Sequence, residues 1–194
     1  MRLAVAITGA SGAGYGVAVL RAAAERGAGV DLVVSDWGRV VLERECGLVY
    51  APESPGGNLV PGEAAERVRC HQVWDMGSPL ASGRGEGEGM CIVPCSMGTV
   101  GRIAAGTSDN LIVRAAAVTL KERRRLVVVP RETPLGLVEL RNLVRVAEAG
   151  AVVLPAMPGF YDHPQTIGDL VEFVAERVLA QFGLGQPAAS EERR

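Results

Sequence analysis

Histidine is scarce in this chain: His71 and His163 are the only two, and they form no cluster. The four cysteines, Cys46, Cys70, Cys91 and Cys95, are never spaced as C-x-x-C. Cys91 and Cys95 are near enough in sequence to share a metal, yet Cys91 falls inside the strand-like "MCIVP". A structural metal site and a disulfide framework are both disfavoured on these grounds. No apolar run approaches the ~20 residues of a membrane helix. The apolar start "MRLAVAIT" passes straight into glycine-rich sequence, without the long apolar segment and cleavage pattern of a signal peptide. Excess positive charge is also missing. The formal net charge is −2, which argues against binding nucleic acid through a broadly basic surface. These absences point to a cytoplasmic protein with no membrane segment, no nucleic-acid partner and no resident metal.

What is present is core. With 48% hydrophobic and 22% charged residues in 194, the chain suits one large globular domain. "LAVAIT" (3–8), "GVDLVVS" ending at Ser35, "MCIVP", "RLVVVP" and "AVVLP" read as strands, the apolar runs of a sheet covered on both faces. Helices are expected from about Tyr15 to Arg26, over 36–46, after "PCSMGT", near Asn110 to Glu122 and over 135–149. A last helix carries an apolar stripe of Ile167, Leu170, Val171, Val174, Val178 and Phe182. "RVRCHQV" is a possible short strand, and "SGRGEGEG" (82–89) is too rich in glycine for regular structure. Strands alternating with helices imply a single-domain, doubly wound, mainly parallel sheet, a Rossmann- or flavodoxin-like α/β/α sandwich. We place the domain over 1–183 and a polar tail over 184–194.

In such a sheet ligands sit beyond the carboxyl ends of the strands. Those ends read "TGASGAG", "SDWG", "PCSMGT", "PRETP" and "PAMPGFYDHP". In the first, glycines let backbone N–H groups approach a ligand at a helix start that favours anions. Its spacing, Gly9-x-x-Gly12-x-Gly14, departs from the dinucleotide G-x-G-x-x-G, and Ser35 closes the second strand where ribose recognition calls for an acid. NAD is disfavoured and a mononucleotide fits. "PCSMGT" repeats the device with Ser96, Gly98 and Thr99, although one such hydroxyl is also what an ordinary helix cap supplies. In "VPRETPLG" the Arg131–Glu132 pair stands between Pro130 and Pro134. A planar guanidinium there suits phosphate oxygens, and the bland alternative is a helix-entry salt bridge.

"ITGASGAGYG", "PCSMGT", "NLIVRAAAVTLKERRRLVVVPRETP" and "GAVVLPAMPGFYDHPQTIGDLVEFV" together resemble the flavin prenyltransferases, the UbiX family. The likeness runs from the first strand to the last helix and is weakest over 50–88. It implies reduced FMN as acceptor and dimethylallyl monophosphate as donor. A C5 unit joins flavin N5 and C6 and phosphate leaves, without metal. Prenylated FMN, the product, would serve a UbiD-type decarboxylase, and a homo-oligomer with sites between subunits is expected.

By the same resemblance Gly9, Ala10, Ser11, Ser35, Ser96, Met97, Gly98, Thr99 and Arg131 contact FMN. Lys121, Arg131, Glu132, Tyr161, Arg177 and Arg114 serve the donor and its phosphate, Arg114 through the phosphate cluster or a subunit contact. Glu45, Glu132 and Ser11 carry catalytic roles, Glu45 as a base removing a flavin proton. Taken without the family, Lys121 reads as a solvated helix end, Arg177 as surface, Tyr161 as a loop aromatic and Glu45 as a polar helix face. One departure stands out: the family pattern has a tryptophan in the tail, and here no aromatic follows Phe182. Either Trp37, Trp74 or Tyr161 then supplies the π face an allylic cation gains from, or the site is more open. Two other readings compete. One is an FMN-dependent oxidative decarboxylase of a cysteine-containing substrate, whose relatives carry a catalytic histidine and an Asn-containing loop where this chain has "PCSMGT". The other is a non-catalytic flavin carrier subunit.

Overall fold

A computed structural model describes residues 1–85 and 87–185. Six strands, β1 (Arg2–Ile7), β2 (Gly29–Val34), β3 (Val68–His71), β4 (Gly89–Cys95), β5 (Arg125–Pro130) and β6 (Val152–Val153), pair in the order β3-β2-β1-β4-β5-β6. Every pairing is parallel. The order reverses between β1 and β4, so the crevice expected for a ligand opens above the end of β1.

Period-two alternation divides the core. Leu3, Val5 and Ile7 of β1 face α1 (Ala13–Glu25), α2 (Asp36–Cys46) and α6 (Ile167–Ala180). Ala4 and Ala6 face α3 (Met97–Ala104), α4 (Leu111–Lys121) and α5 (Leu137–Glu148). Burial on both faces is why the strands read as unbroken apolar runs. Arg26 at the end of α1 pairs with Glu176 of α6, and its Nη1 also donates to the Leu184 carbonyl at 2.6 Å. The short helix α3 packs against α5 across the second face.

Three details differ from expectation. Ile167 is 81% exposed; it opens α6 beyond the edge of the sheet, so the buried stripe is carried by Val174 and Val178 with Leu170, Val171 and Phe182 half-buried. The last strand has only two ladder residues, because Pro130 has no N–H to donate back to the Leu154 carbonyl, although the Leu154 and Ala156 amides still reach the Val128 and Pro130 carbonyls. Leu184, counted with the polar tail, packs on the core, and its amide bonds the Leu179 carbonyl. The rest of the expected tail, from residue 186, lies outside the described residues, as does Glu86 in the glycine-rich loop.

Close approach of α1 to β4 depends on Gly16, where a Cβ would overlap the Val93 carbonyl oxygen and come within 3.0 Å of Ile7 Cγ1. Gly16→Ala should therefore destabilise the fold by about 1–3 kcal/mol despite its better helix propensity. Urea unfolding measures this, and an unchanged midpoint would refute the close-packing argument.

Candidate active site

The carboxyl ends of β1 and β4 are joined by a side chain that the strand pattern hides. Thr8, 2% exposed, donates its hydroxyl to the Pro94 carbonyl at 2.8 Å and accepts the Ser96 amide at 2.8 Å. This sets the Gly9–Ser11 turn beside the Ser96–Thr99 turn. Gly9 is held bare by its neighbour: a Cβ there would overlap Trp37 Cβ, so the start of α2 presses on the turn after β1.

The N-terminus of α1 is already taken. Glu45, from the last turn of α2, accepts the Gly12 amide at 2.8 Å and the Ala13 amide at 2.9 Å through Oε2. Partial burial acts to raise the Glu45 pKa, but hydrogen bonds from Ser11, Gly12 and Ala13, together with the Arg131 charge, outweigh it and hold the carboxyl below its ordinary value. Two of the expected catalytic groups, Ser11 and Glu45, are thus in contact, and the carboxylate completes the helix start that a ligand phosphate would otherwise use.

The N-terminus of α3 is arranged differently. Ser96 caps it, accepting the Thr99 amide at 3.3 Å, and its Oγ lies 3.0 Å from Thr99 Oγ1. No carboxylate is recorded at this end among the described residues. A Cβ on Gly98 would meet nothing within 4 Å, and its φ is not in the positive region that calls for glycine. Neither packing nor backbone conformation explains a bare residue here, which leaves open space against the first turn. On the other side of β1, Ser35 caps α2 by accepting the Gly38 amide at 3.0 Å. Two hydroxyl-bearing helix starts therefore flank the end of β1; α3 has no acid in its first turn, which suits a phosphate, whereas α2 carries Asp36 there. Met97 is buried in the second core, so it supports this turn from behind.

After β5, Arg131 and Glu132 are both exposed. The Arg131 amide donates to the Cys95 carbonyl at 3.4 Å, and the Glu132 carboxylate accepts the Thr133 amide at 3.1 Å. No ion pair among the described residues involves either side chain, so no salt bridge at the helix entry occupies them. The Ala156 amide reaches the Pro130 carbonyl at 3.2 Å, bringing the segment after β6 alongside. That segment lines a cavity of about 320 Å³ shared by Met157, Tyr161, Phe173 and Arg177. Tyr161 and Phe173 meet edge-to-face with centroids 5.8 Å apart. Tyr161 and Arg177, separate readings in the sequence, thus face one space.

Lys121 does not join them within one chain. Helix α4 leads into the start of β5, so its last residue sits at the opposite end of the sheet from Arg131, and the Lys121 ammonium pairs with Glu122 at 3.0 Å. Arg114, in the first turns of α4, donates to the Ala81 carbonyl at 3.0 Å and faces the 79–81 turn instead of the flavin-side loops. Thr8 and Phe173 had not been singled out. Phe173 stands four residues before Arg177, the spacing that puts two side chains on one helix face. Cys91 and Cys95 are buried in β4, and burial pushes the Cys91 thiol up to about 12 and the Cys95 thiol further. Neither thiol ionises readily as a free nucleophile.

Comparisons with known proteins show the family and the fold. The family described as Flavoprotein matches residues 1–179. The flavin prenyltransferase UbiX of Halalkalibacterium halodurans is 43% identical over 180 residues, covering 93% of this chain and 87% of the relative. That of Pseudomonas aeruginosa is 41% identical, covering 95% and 90%. Among solved structures, AnUbiX (PadA1) in complex with FMN and dimethylallyl pyrophosphate superposes with a TM-score of 0.83 at 38% identity, covering 96% of each chain. A dodecameric FMN-dependent UbiX-like decarboxylase from Escherichia coli O157:H7 gives 0.85 at 40% identity, covering 98% of each. A cysteine decarboxylase from thioviridamide biosynthesis, at 16% identity and a TM-score of 0.60, shares the fold alone.

Two measurements check the helix starts. Because the Glu45 pKa is depressed on folding, its contribution to stability is complete above the ordinary value of 4.5 and is lost as pH falls through the lower folded value. The urea midpoints of wild type and Glu45→Gln should therefore differ by a constant amount above about pH 4.5 and converge below it. A gap that persists in acid would contradict the assignment. Gly98→Ala should leave stability unchanged or raise it by up to about 1 kcal/mol, while weakening FMN binding about tenfold or more, read by flavin fluorescence. Unchanged affinity would show that no ligand approaches that turn.

Proposed function

The chain belongs to the flavoprotein family and, within it, to the UbiX flavin prenyltransferases, and from that premise we propose that it transfers a dimethylallyl group from dimethylallyl monophosphate to N5 and C6 of reduced FMN. What carries the reading is the single cavity that Tyr161 and Arg177 share beside the strand end bearing Arg131. Bound FMN would supply the electron-rich N5 and C6: one new bond would form as phosphate departs with the electrons of the C–O bond, the other as the donor's carbon–carbon double bond takes up a proton and C6 gives one up.

The residues then divide the work. Ser35, Ser96, Gly98 and Thr99 hold the flavin phosphate on the helix starts flanking β1, where the N–H groups and hydroxyls converge. Gly9 and Ala10 form the turn between them, and Met97 backs it. Arg131 spans the flavin and the donor, its guanidinium free of any internal ion pair among the described residues. Arg177 and the Tyr161 hydroxyl face the donor phosphate and stabilise the charge that accumulates on it as the bond breaks. Glu132 neighbours the same phosphate. The Tyr161–Phe173 pair presents aromatic surface to the allylic fragment, the part given in the family pattern to a tail tryptophan. Glu45, ionised at neutral pH and bonded to Ser11, accepts a flavin proton during ring closure with Ser11 as its hydroxyl partner. Its depressed pKa makes it a weak base, suited to a proton already acidified by the ring closure.

Lys121 and Arg114 reach a phosphate only if a second copy brings its α4 to the site. A dodecameric relative with matching fold supports an assembly of this kind. Among the described residues no helix is long and apolar enough to cross a membrane. All four cysteines are free, which agrees with a reducing cytoplasm. The product is a modified flavin, so its recipient would be a decarboxylase of the UbiD type that uses it.

Anaerobic incubation with reduced FMN and dimethylallyl monophosphate should give a flavin heavier by one C5 unit. Arg177→Gln should slow its formation about a hundredfold while FMN still binds. No adduct from protein that binds FMN, or an adduct at the wild-type rate from the variant, would overturn the reading.

A further inference from the structure

A cavity of about 380 Å³ lies away from the flavin-side loops. It is lined by residues at the starts of strands, Arg2 of β1 and Gly89 of β4, and by Arg124 just before β5, so it opens at the other end of the sheet. Its floor is the register row Ala4, Asp31 and Arg69 across β1, β2 and β3. Its roof is α4 with the loop that follows the Pro79–Ala81 turn.

Among the described residues four arginines face this space, Arg2, Arg69, Arg84 and Arg124, against one carboxylate, Asp31. That carboxylate is already satisfied. Asp31 Oδ1 accepts Arg2 Nη1 at 3.3 Å and lies 2.9 Å from His71 Nε2. With Nε2 donating to Asp31, Nδ1 is left to accept the Ser78 hydroxyl at 2.9 Å, and Ser78 Oγ in turn accepts the Leu80 amide at 3.3 Å. The chain of bonds is complete, and it pins the loop wall to β3. Arg114 and Arg124 brace the same wall by donating to the Ala81 and Gly83 carbonyls at 3.0 and 2.9 Å. Two nearby acids among the described residues are engaged elsewhere: Glu88 with the amino terminus at 3.9 Å and Glu122 with Lys121 at 3.0 Å. The guanidinium groups of Arg69 and Arg84 have no partner among the described residues. Hydroxyls of Ser82 and Thr119 and an apolar wall of Leu80, Ala115 and Val118 complete the lining.

We propose that this cavity is a second binding site, for a small organic phosphate monoester, independent of the flavin site. Two unpaired guanidinium forks match the roughly two negative charges of a phosphoryl group. The apolar wall accommodates a carbon body that inorganic phosphate lacks, so the organic ester binds more tightly than the inorganic ion. The relay from Asp31 through His71 to Ser78 keeps the one internal carboxylate from competing for Arg69 and Arg84.

Orthophosphate labelled with phosphorus-32 is the probe, in equilibrium dialysis of FMN-loaded wild type, Arg69→Gln/Arg84→Gln and Arg177→Gln. Phenyl phosphate serves as the displacing ester. The double variant should lose one phosphate per chain, with affinity lowered about tenfold or more, while its flavin content, thermal midpoint and prenylation stay at wild-type values. Arg177→Gln should keep that phosphate, and phenyl phosphate should displace it at lower concentration than unlabelled phosphate. Wild-type binding by the double variant, or loss of all bound phosphate in Arg177→Gln, would overturn the proposal. Displacement by benzoate as readily as by phenyl phosphate would also overturn it, in favour of a carboxylate site. Because the prenyl-transfer reading is tested through Arg177 and flavin mass, either idea can fail without the other.

Discussion

A carboxylate from the same chain closes the first helix start, and the layout of the site follows from that. Glu45 bonds the free amides of α1 while Ser11 and Arg131 offset its charge. In many doubly wound proteins that helix end is where a ligand phosphate is received. Here the position is spoken for, so the proposed reading seats an incoming phosphate at the starts of α2 and α3. In that reading the turn after β1 is left free to meet the reactive ring instead of the phosphate. A single ion–amide contact would thereby set which end of the ligand lies where.

The sheet makes this contact possible. Parallel pairing places all six strand ends on one side, and the β2-β1-β4 order puts Ser35 and Ser96 on either side of the turn after β1. Thr8 locks β1 to β4 from within, and the missing Cβ at Gly9 lets α2 approach. At the neighbouring ends of β5 and β6, Arg131 and the Tyr161–Arg177 cavity stand next to each other because Ala156 continues the pairing to Pro130. Two anion-seeking regions, one on helix starts and one on side-chain cations, thus adjoin on one edge. That is the arrangement a transfer between two phosphorylated molecules requires.

Much of this was legible in the sequence. Apolar runs of strand length alternating with helix-period stretches gave the α/β class, and strand ends rich in glycine and hydroxyls marked the site. Contacts between residues far apart in sequence were not legible. The spacing of "LEREC" carries no sign that Glu45 reaches back 33 residues to the start of α1. Nor does "KERRR" reveal that α4 ends at the far side of the sheet, which keeps Lys121 from Arg131 in one chain. Ile167 fits the helical stripe by period, yet the first residue of a helix can overhang the surface it packs on. Thr8 reads as the end of a strand, because its hydroxyl has meaning only once Pro94 and Ser96 are beside it. The basic cavity at the other end arises the same way, from arginines distributed over β1, β3, the loop and the start of β5.

The most direct test of the central claim is a crystal structure of the protein with FMN bound. The account predicts flavin phosphate oxygens within hydrogen-bond distance of Ser96, Thr99 and Ser35, with Glu45 still accepting the Gly12 and Ala13 amides. A phosphate seated on those two amides, with the Glu45 carboxylate displaced, would contradict it.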